Sequence, residues 1–174
     1  MGIREKLNEN PAITTGATIG IIVIALIFIG YQLFSSDSAA IQTTGYYTTD
    51  DSSPEAALAA MFSDDINKLP PFDKDGKPAY RAFVYSCDGG STKWIAYLQR
   101  YTKEAQAKLE AARAKPEGEQ GEPGMIEMLH MTGVEVKRPG TGTWVNQSNF
   151  EKSRDVTDIK CPDGTLDNIE AVMP

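Results

Sequence analysis

The feature that most constrains this chain is an uncharged, strongly apolar run near its N-terminus. Residues 12–34 contain no charged side chain, and most positions after Ile19 are large and aliphatic. About 20 apolar residues in a helix cross a hydrocarbon core roughly 30 Å thick. Because backbone polar groups in lipid must hydrogen-bond internally, such a run has to be helical there. The sequence therefore predicts one transmembrane helix over residues 12–34.

Basic residues near this run predict its orientation. Arg4 and Lys6 precede it, whereas no Lys or Arg occurs between residues 35 and 67. Basic residues close to a membrane span stay on the cytoplasmic side. We therefore expect a cytoplasmic N-terminus at residues 1–11 and a periplasmic C-terminal domain, held at the cell inner membrane. A cleaved signal peptide is the alternative, although the apolar run is longer than such peptides use.

Two glycines in the run have the spacing of a helix-packing motif. Gly16 and Gly20 are four residues apart, and small residues at this spacing let two helices approach closely. The pair predicts packing against a second copy or a partner helix in the membrane. The alternative is that glycine is simply common in transmembrane helices.

The acidity of the chain restricts its partners. It has 24 Asp and Glu against 17 Lys and Arg, a net charge of −7, and one histidine. Nucleic acid is excluded as a partner because phosphate binding needs a basic face. A single histidine excludes the metal sites that need two. No catalytic or cofactor-binding motif stands out, so we expect a protein that is not an enzyme and has no cofactor.

After the apolar run, the sequence predicts a tether at residues 35–53 and an α+β domain at residues 54–174. The tether is rich in Ser, Thr and Asp. Alternating patterns before and after the Asp88-Gly89 turn predict a β-hairpin. A second hairpin is predicted from the segments Gly133–Arg138 and Thr143–Asn146. We expect a small antiparallel sheet of about four to five strands with two to three short helices.

A flexible acidic loop is predicted at residues 116–124, which contain no large apolar side chain. The Ala-rich segment before this loop, residues 103–115, has a helical pattern that ends at Pro116. Its narrow apolar face predicts a helix lying on the surface of the sheet.

The chain has two cysteines, Cys87 and Cys161, each at the end of a predicted strand. Outside the cytoplasm an even number of cysteines most simply indicates a disulfide. Free buried thiols and a redox-active pair are the alternatives, but the pair lacks the Cys-x-x-Cys spacing that lowers a thiol pKa. The sequence therefore predicts a structural disulfide.

Three methionines and the only histidine lie in one seven-residue stretch: Met125, Met128, His130 and Met131. Thioethers and an imidazole outside the cytoplasm suit a soft metal such as Cu(I). The alternative is a short helix whose methionines fill gaps against the sheet together with Ile126 and Leu129. Periplasmic copper handling is therefore the second functional hypothesis.

Short motifs span most of the chain: Asp50-Asp51, Phe62-Ser63-Asp64-Asp65, Pro70-Pro71-Phe72, Asp75-Gly76-Lys77, Arg81, Cys87, residues 97–102, residues 137–140, Trp144-Val145 and residues 161–164. Together they resemble a family of small single-pass bacterial envelope proteins, planctomycetal in type. That family has no assigned activity. The resemblance therefore implies location and topology, and it supplies no catalytic or ligand-binding residue.

The first functional hypothesis is a membrane-anchored, non-catalytic accessory or structural subunit of an envelope assembly. It would contact the lipid bilayer through its N-terminal helix, and a membrane or envelope protein, or a second copy, through an edge or aromatic face of the sheet. Five rings are the candidate contacts: Tyr80, Tyr85, Trp94, Tyr97 and Tyr101. The alternative is that these rings form the core.

Overall fold

The computed structural model describes residues 20–29, 42–116, 123–166 and 168–174, which fall into two compact units divided after Ile41. The first unit contains one described helix, α1, over residues 20–29. Its large apolar side chains are 49–69% exposed. No helix in the described part of the chain is long and apolar enough to cross a membrane. Residues 1–11, Gly16 and both ends of the predicted span lie outside the described residues.

The second unit is organised by an antiparallel sheet with the strand order β2-β1-β4-β5-β6-β7, while β3 and β8 also pair with β4. The strands are β1 (Thr44–Thr48), β2 (Met61–Asp65), β3 (Phe72–Lys74), β4 (Lys77–Ser86), β5 (Trp94–Tyr101), β6 (Val134–Lys137), β7 (Val145–Asn146) and β8 (Glu170–Ala171). Its helices are α2 (Pro54–Ala59), α3 (Lys103–Arg113), α4 (Pro123–Thr132) and α5 (Phe150–Thr157).

The predicted α+β class with an antiparallel sheet is confirmed, but the predicted numbers of strands and helices are both too small, since the described part of the second unit has eight strands and four helices. Both predicted hairpins form, as β4 pairs with β5 and β6 with β7. The predicted acidic loop is too long at its C-terminal end, because α4 begins at Pro123. Short strands such as β3 and β8 lack a periodic pattern of their own, so only their pairing to β4 identifies them.

Hydrogen-bonding side chains explain where three of the helices begin. Ser53, Thr102 and Asn149 precede α2, α3 and α5, and each side chain accepts a hydrogen bond from the backbone N–H three residues further on. Such caps satisfy N–H groups that have no partner inside the helix. In α2 the first position is Pro54, which has no N–H to satisfy.

The predicted tether at residues 35–53 is wrong in its C-terminal part. Residues 44–48 form β1, which pairs with both β2 and β4. Within β1 the side chains of Tyr47 and Thr48 are fully buried, and the Tyr47 hydroxyl donates a hydrogen bond to the Asp65 carbonyl at 2.9 Å. Pairing with β2 and β4 orders this polar segment, and the composition of the segment alone gives no sign of that pairing.

The sheet has apolar residues buried on both faces. On one face α2 packs its Ala57 against the buried group Ala82, Val84, Ile95 and Leu98. Cross-strand register places Tyr47 and Val136 on the opposite face. Helix α3 contributes two more buried side chains, Ala105 and Leu109. The sheet is therefore packed against apolar side chains on both of its faces.

Candidate binding face of the sheet

A β-bulge interrupts the central hairpin. Phe83 of β4 pairs with Tyr97 of β5, but Val84, the next residue of β4, pairs with Ile95. Ala96 is therefore an extra residue on β5. A bulge of this kind changes the direction in which the following side chains point.

The bulge determines which side chains of β5 share a face. Ile95 and Leu98 are three residues apart, yet both are buried in the core beneath α2. For the same reason Trp94 and Tyr97 share the other face, whereas in a regular strand residues three apart point to opposite faces. The extra residue thus brings two rings of β5 together on one surface.

Two cross-strand ring pairs form on this surface. Phe83 and Tyr97 stack with their centroids 4.4 Å apart and an interplanar angle of 15°. Tyr85 and Trp94 meet edge to face at 5.7 Å and 72°. All four side chains are half-buried. We call these four residues the aromatic face.

Polar groups accompany the aromatic face. The guanidinium of Arg81 lies 5.5 Å from the centroid of the Phe83 ring, within the range of a cation–π contact. Burial, and secondarily the neighbouring Tyr85 phenol, raises the pKa of Tyr97 to about 12. The Tyr97 hydroxyl is therefore protonated at physiological pH. The surface thus combines flat apolar rings with hydrogen-bond donors and a cation.

The structure separates the five rings that the sequence singles out. Tyr85, Trp94 and Tyr97 lie together on the aromatic face. Tyr80 instead contacts Trp144, with ring centroids 5.1 Å apart, beside the core. Tyr101 is engaged with α4, since its hydroxyl is 2.6 Å from Nδ1 of His130.

Phe83 belongs to the aromatic face, but it is not among the five rings that were predicted from the sequence as contacts. The period-two pattern of β4 was sufficient to find it, because residues 81, 83 and 85 alternate with the core residues 82 and 84.

An open edge of β5 lies next to the bulge. Strand β6 pairs with β5 only over Leu98–Tyr101. In the described part of the chain, residues 94–97 therefore have β4 on one side and no strand on the other. A groove of about 520 Å³ runs beside this edge, and its apolar lining includes Pro54, Leu58, Trp94, Ile159 and Pro162.

A charged cluster fixes the segment after β6 to the sheet. The Trp144 ring lies 4.3 Å from the Arg100 guanidinium and 5.4 Å from the Lys137 ammonium. Arg100 pairs with Glu135 at 2.8 Å, and Lys137 pairs with Asp51. Because each cation has a carboxylate partner and a ring partner, this cluster is satisfied within the protein and serves its packing.

The two cysteines form the predicted disulfide. Cys87 and Cys161 have their Cα atoms 6.1 Å apart, a separation typical of disulfides. The bond joins the turn after β4 to the segment that follows α5. Because both cysteines of the chain are paired, neither one is a free thiol.

The metal candidates lie on α4 but do not all face the same way. Met125, Met128 and Met131 are 55%, 55% and 69% exposed, so they do not fill gaps against the sheet. His130 instead turns to Tyr101, and desolvation together with the charge of Arg113 lowers its pKa. No group of three or more His, Cys, Asp or Glu side chains in the described residues is arranged to hold a metal ion.

No family model, curated protein or solved structure matches the chain. The resemblance to planctomycetal-type envelope proteins therefore stays a prediction.

Proposed function

We propose that this protein is a membrane-anchored, non-catalytic accessory subunit of an envelope assembly, which binds a partner protein through the aromatic face. Its N-terminal helix lies in the inner membrane with the N-terminus in the cytoplasm, and residues 42–174 act in the periplasm. The observation that carries the proposal is the pairing of four rings on one surface by the bulge at Ala96.

The composition of α1 supports the membrane anchor. Eight of its ten residues are large apolar residues about half or more exposed: Ile21, Ile22, Val23, Ile24, Leu26, Ile27, Phe28 and Ile29. A helix that is apolar on all sides is unstable in water and needs an apolar environment around it. Among the described residues, nothing lies within 4 Å of a Cβ built on Gly20, which is compatible with the close approach of another helix.

The aromatic face and the open edge of β5 support partner binding. Rigid rings supply contact area at a low cost in side-chain entropy, and they are enriched among the residues that dominate binding energy. The edge at residues 94–97 and its groove suit an extended segment, because a strand edge offers backbone hydrogen bonds. A partner that inserts one strand beside β5 and places its side chains on the rings would use both features.

One observation favours a role without catalysis. Both cysteines are bound in the disulfide, so they are not available as nucleophiles.

Purification of the full-length protein from its native membrane in mild detergent tests partner binding. We expect a stoichiometric partner or a second copy to accompany the wild-type protein, and the double variant Tyr85→Ala, Trp94→Ala to lose it. The control is Phe150→Ala, which removes a ring that is 82% exposed and lies outside the aromatic face. Thermal unfolding of each variant shows whether the fold is retained.

Recovery of the wild-type protein as a lone monomer at native expression would contradict the partner proposal. The anchor has its own test, protease treatment of intact spheroplasts. We expect the domain at residues 42–174 to be degraded without lysis, because it faces outward. Degradation only after lysis would overturn the orientation, and release of the protein by alkaline carbonate would overturn the anchor.

A further inference from the structure

The groove beside the open edge of β5 depends on a loop for part of its lining. Strand β5 contributes Trp94, Ile95 and Ala96 to the groove, and helix α2 contributes further apolar side chains. The loop between α5 and β8 contributes residues 158–162, which we call the wall segment. The shape of the groove therefore depends on what holds the wall segment in place.

The loop has little packing of its own. Within residues 158–166 Cys161 is buried, Ile159 is half-buried and the other residues are exposed. The Cys161 N–H donates a hydrogen bond to the Thr165 carbonyl at 3.0 Å, and the Gly164 N–H donates one to the Cys161 carbonyl at 2.8 Å. These two hydrogen bonds fold the loop on itself and do not reach the sheet. Segments with so little buried apolar area open at a low cost in free energy.

The disulfide joins the middle of this loop to the sheet. It links Cys161 to Cys87, which directly follows β4. The guanidinium of Arg138 fixes the start of the loop, since it donates hydrogen bonds to the carbonyls of Asp155 and Asp158 at 2.8 Å each. At the other end of the loop, β8 pairs with β4. Between these two attachments, the disulfide is the covalent link that keeps the wall segment beside β5.

We propose that the disulfide is a redox-sensitive switch of the groove. In the oxidised chain the wall segment lies beside β5, and reduction of the bond releases the wall segment while the sheet stays folded. The sheet does not need the bond for its order, because β4, β5 and β6 pair directly with one another.

The reductant of this switch is a dithiol. Its thiolate attacks the disulfide to give a mixed disulfide, and its second thiol then resolves the mixed disulfide. The dithiol loses two electrons and two protons and becomes a disulfide, while Cys87 and Cys161 become thiols. Cys87 is half-buried and Cys161 is 4% exposed, so the attack begins at the sulfur of Cys87.

The consequence for binding rests on the proposed function. An extended partner segment inserted beside residues 94–97 would contact Ile159 and Pro162 of the wall segment on its other side. These contacts are lost when the wall segment is released. The reduced protein is therefore expected to bind the partner at least about tenfold more weakly.

Hydrogen–deuterium exchange of the full-length protein in mild detergent tests the release. The oxidised protein is compared with the protein treated with dithiothreitol. We expect the amides of Cys161 and Gly164 to exchange in the reduced form as fast as those of an unstructured peptide, because their hydrogen bonds open with the loop. Amides in β4 and β5 are expected to stay at least about a hundredfold slower than that rate in both forms.

The double variant Cys87→Ser, Cys161→Ser separates the loss of the disulfide from other effects of dithiothreitol. We expect the variant to exchange like the reduced wild-type protein, with no further change on adding dithiothreitol. Unchanged exchange at Cys161 and Gly164 in the reduced wild-type protein would overturn the switch. An equally complete loss of protection across β4 and β5 would also overturn it, because reduction would then unfold the whole domain.

Purification from the native membrane measures the consequence for binding. The double cysteine variant is used without reductant, because dithiothreitol also acts on disulfides of the partner. We expect it to retain at most about a tenth of the partner that accompanies the oxidised wild-type protein. Equal retention would refute the control of binding by the disulfide. An oxidised wild-type protein without any partner would contradict the proposed function alone, and the exchange experiment would still decide the switch.

Discussion

Gly133 shows how one residue without a side chain permits three elements to meet. It lies between α4 and β6, and a Cβ built there would be 2.7 Å from the Leu129 carbonyl oxygen and even closer to the Ala105 side chain of α3. We expect Gly133→Ala to lower the free energy of unfolding by about 1–3 kcal/mol, because backbone has to move. The control is Gly142→Ala, where no atom of the described residues lies within 4 Å of the added Cβ. Equal urea unfolding midpoints for Gly133→Ala and Gly142→Ala would show that Gly133 is not crowded.

Asp88 couples the turn of the central hairpin to pH. Its Oδ1 accepts hydrogen bonds from the Thr92 backbone N–H at 2.8 Å and from the Ser86 hydroxyl at 2.7 Å. These bonds, that of the Thr92 backbone first, lower the pKa of Asp88 to about 2. The unfolded value is near 3.9. The carboxylate therefore stabilises the fold fully above about pH 4, and this contribution is lost as the pH falls toward 2.

The measurement is urea unfolding of the wild-type protein and of Asp88→Asn at pH 7 and pH 2.5. We expect the wild-type midpoint to fall more between the two values than that of the variant, because Asn does not titrate. The other carboxylates titrate in both proteins, so they lower the midpoints of both by the same amount. Parallel pH dependences of the two proteins would show that Asp88 contributes nothing in this range.

At the scale of elements, the ion pair of Lys137 and Asp51 joins β6 to the segment between β1 and α2. The Lys137 side chain is only 8% exposed, whereas that of Asp51 is 32% exposed. This difference predicts unequal costs for the two deletions. In Asp51→Ala a buried ammonium is left without its carboxylate, for which we expect a loss of about 3 kcal/mol. In Lys137→Met the carboxylate still reaches water, and we expect a loss of about 1 kcal/mol.

Chemical denaturation of both single variants and of the double variant Asp51→Leu, Lys137→Met measures this asymmetry. The double variant is expected to lie close to the wild type, because replacing a buried pair by apolar residues is often neutral. A larger loss in Lys137→Met than in Asp51→Ala would refute the argument from burial.

At the scale of the whole molecule, the disulfide closes a loop of 74 residues between Cys87 and Cys161. Cross-linking a loop of this length removes chain entropy from the unfolded state that corresponds to roughly 4 kcal/mol. We expect the double variant Cys87→Ser, Cys161→Ser to lose up to this amount in urea unfolding. The reduced wild-type protein should match it. An unchanged midpoint in both would mean that the bond adds no stability.

Much of the fold was predictable wherever a signal is local. The capping residues Ser53 and Thr102 mark helix starts within a few positions, and the alternating pattern around Asp88-Gly89 identifies the central hairpin. The disulfide was predictable as well, since two cysteines allow only one pairing. The second strand pairing of β1 was not predictable, because residues 44–48 acquire their burial from β2 and β4, which lie elsewhere in the chain.

The candidate sites also divide into features that depend on local sequence and features that depend on contacts between distant segments. The rings of the hairpin and the methionines of α4 are visible in the sequence, as are the acidity and the apolar run at residues 12–34, since all of these depend on composition and short spacing. Only the tertiary structure decided that the bulge at Ala96 unites Trp94 with Tyr97, and that His130 faces Tyr101 while the methionines stay exposed. Register and exposure depend on contacts between distant segments, and the lowest free energy of the whole chain selects those contacts.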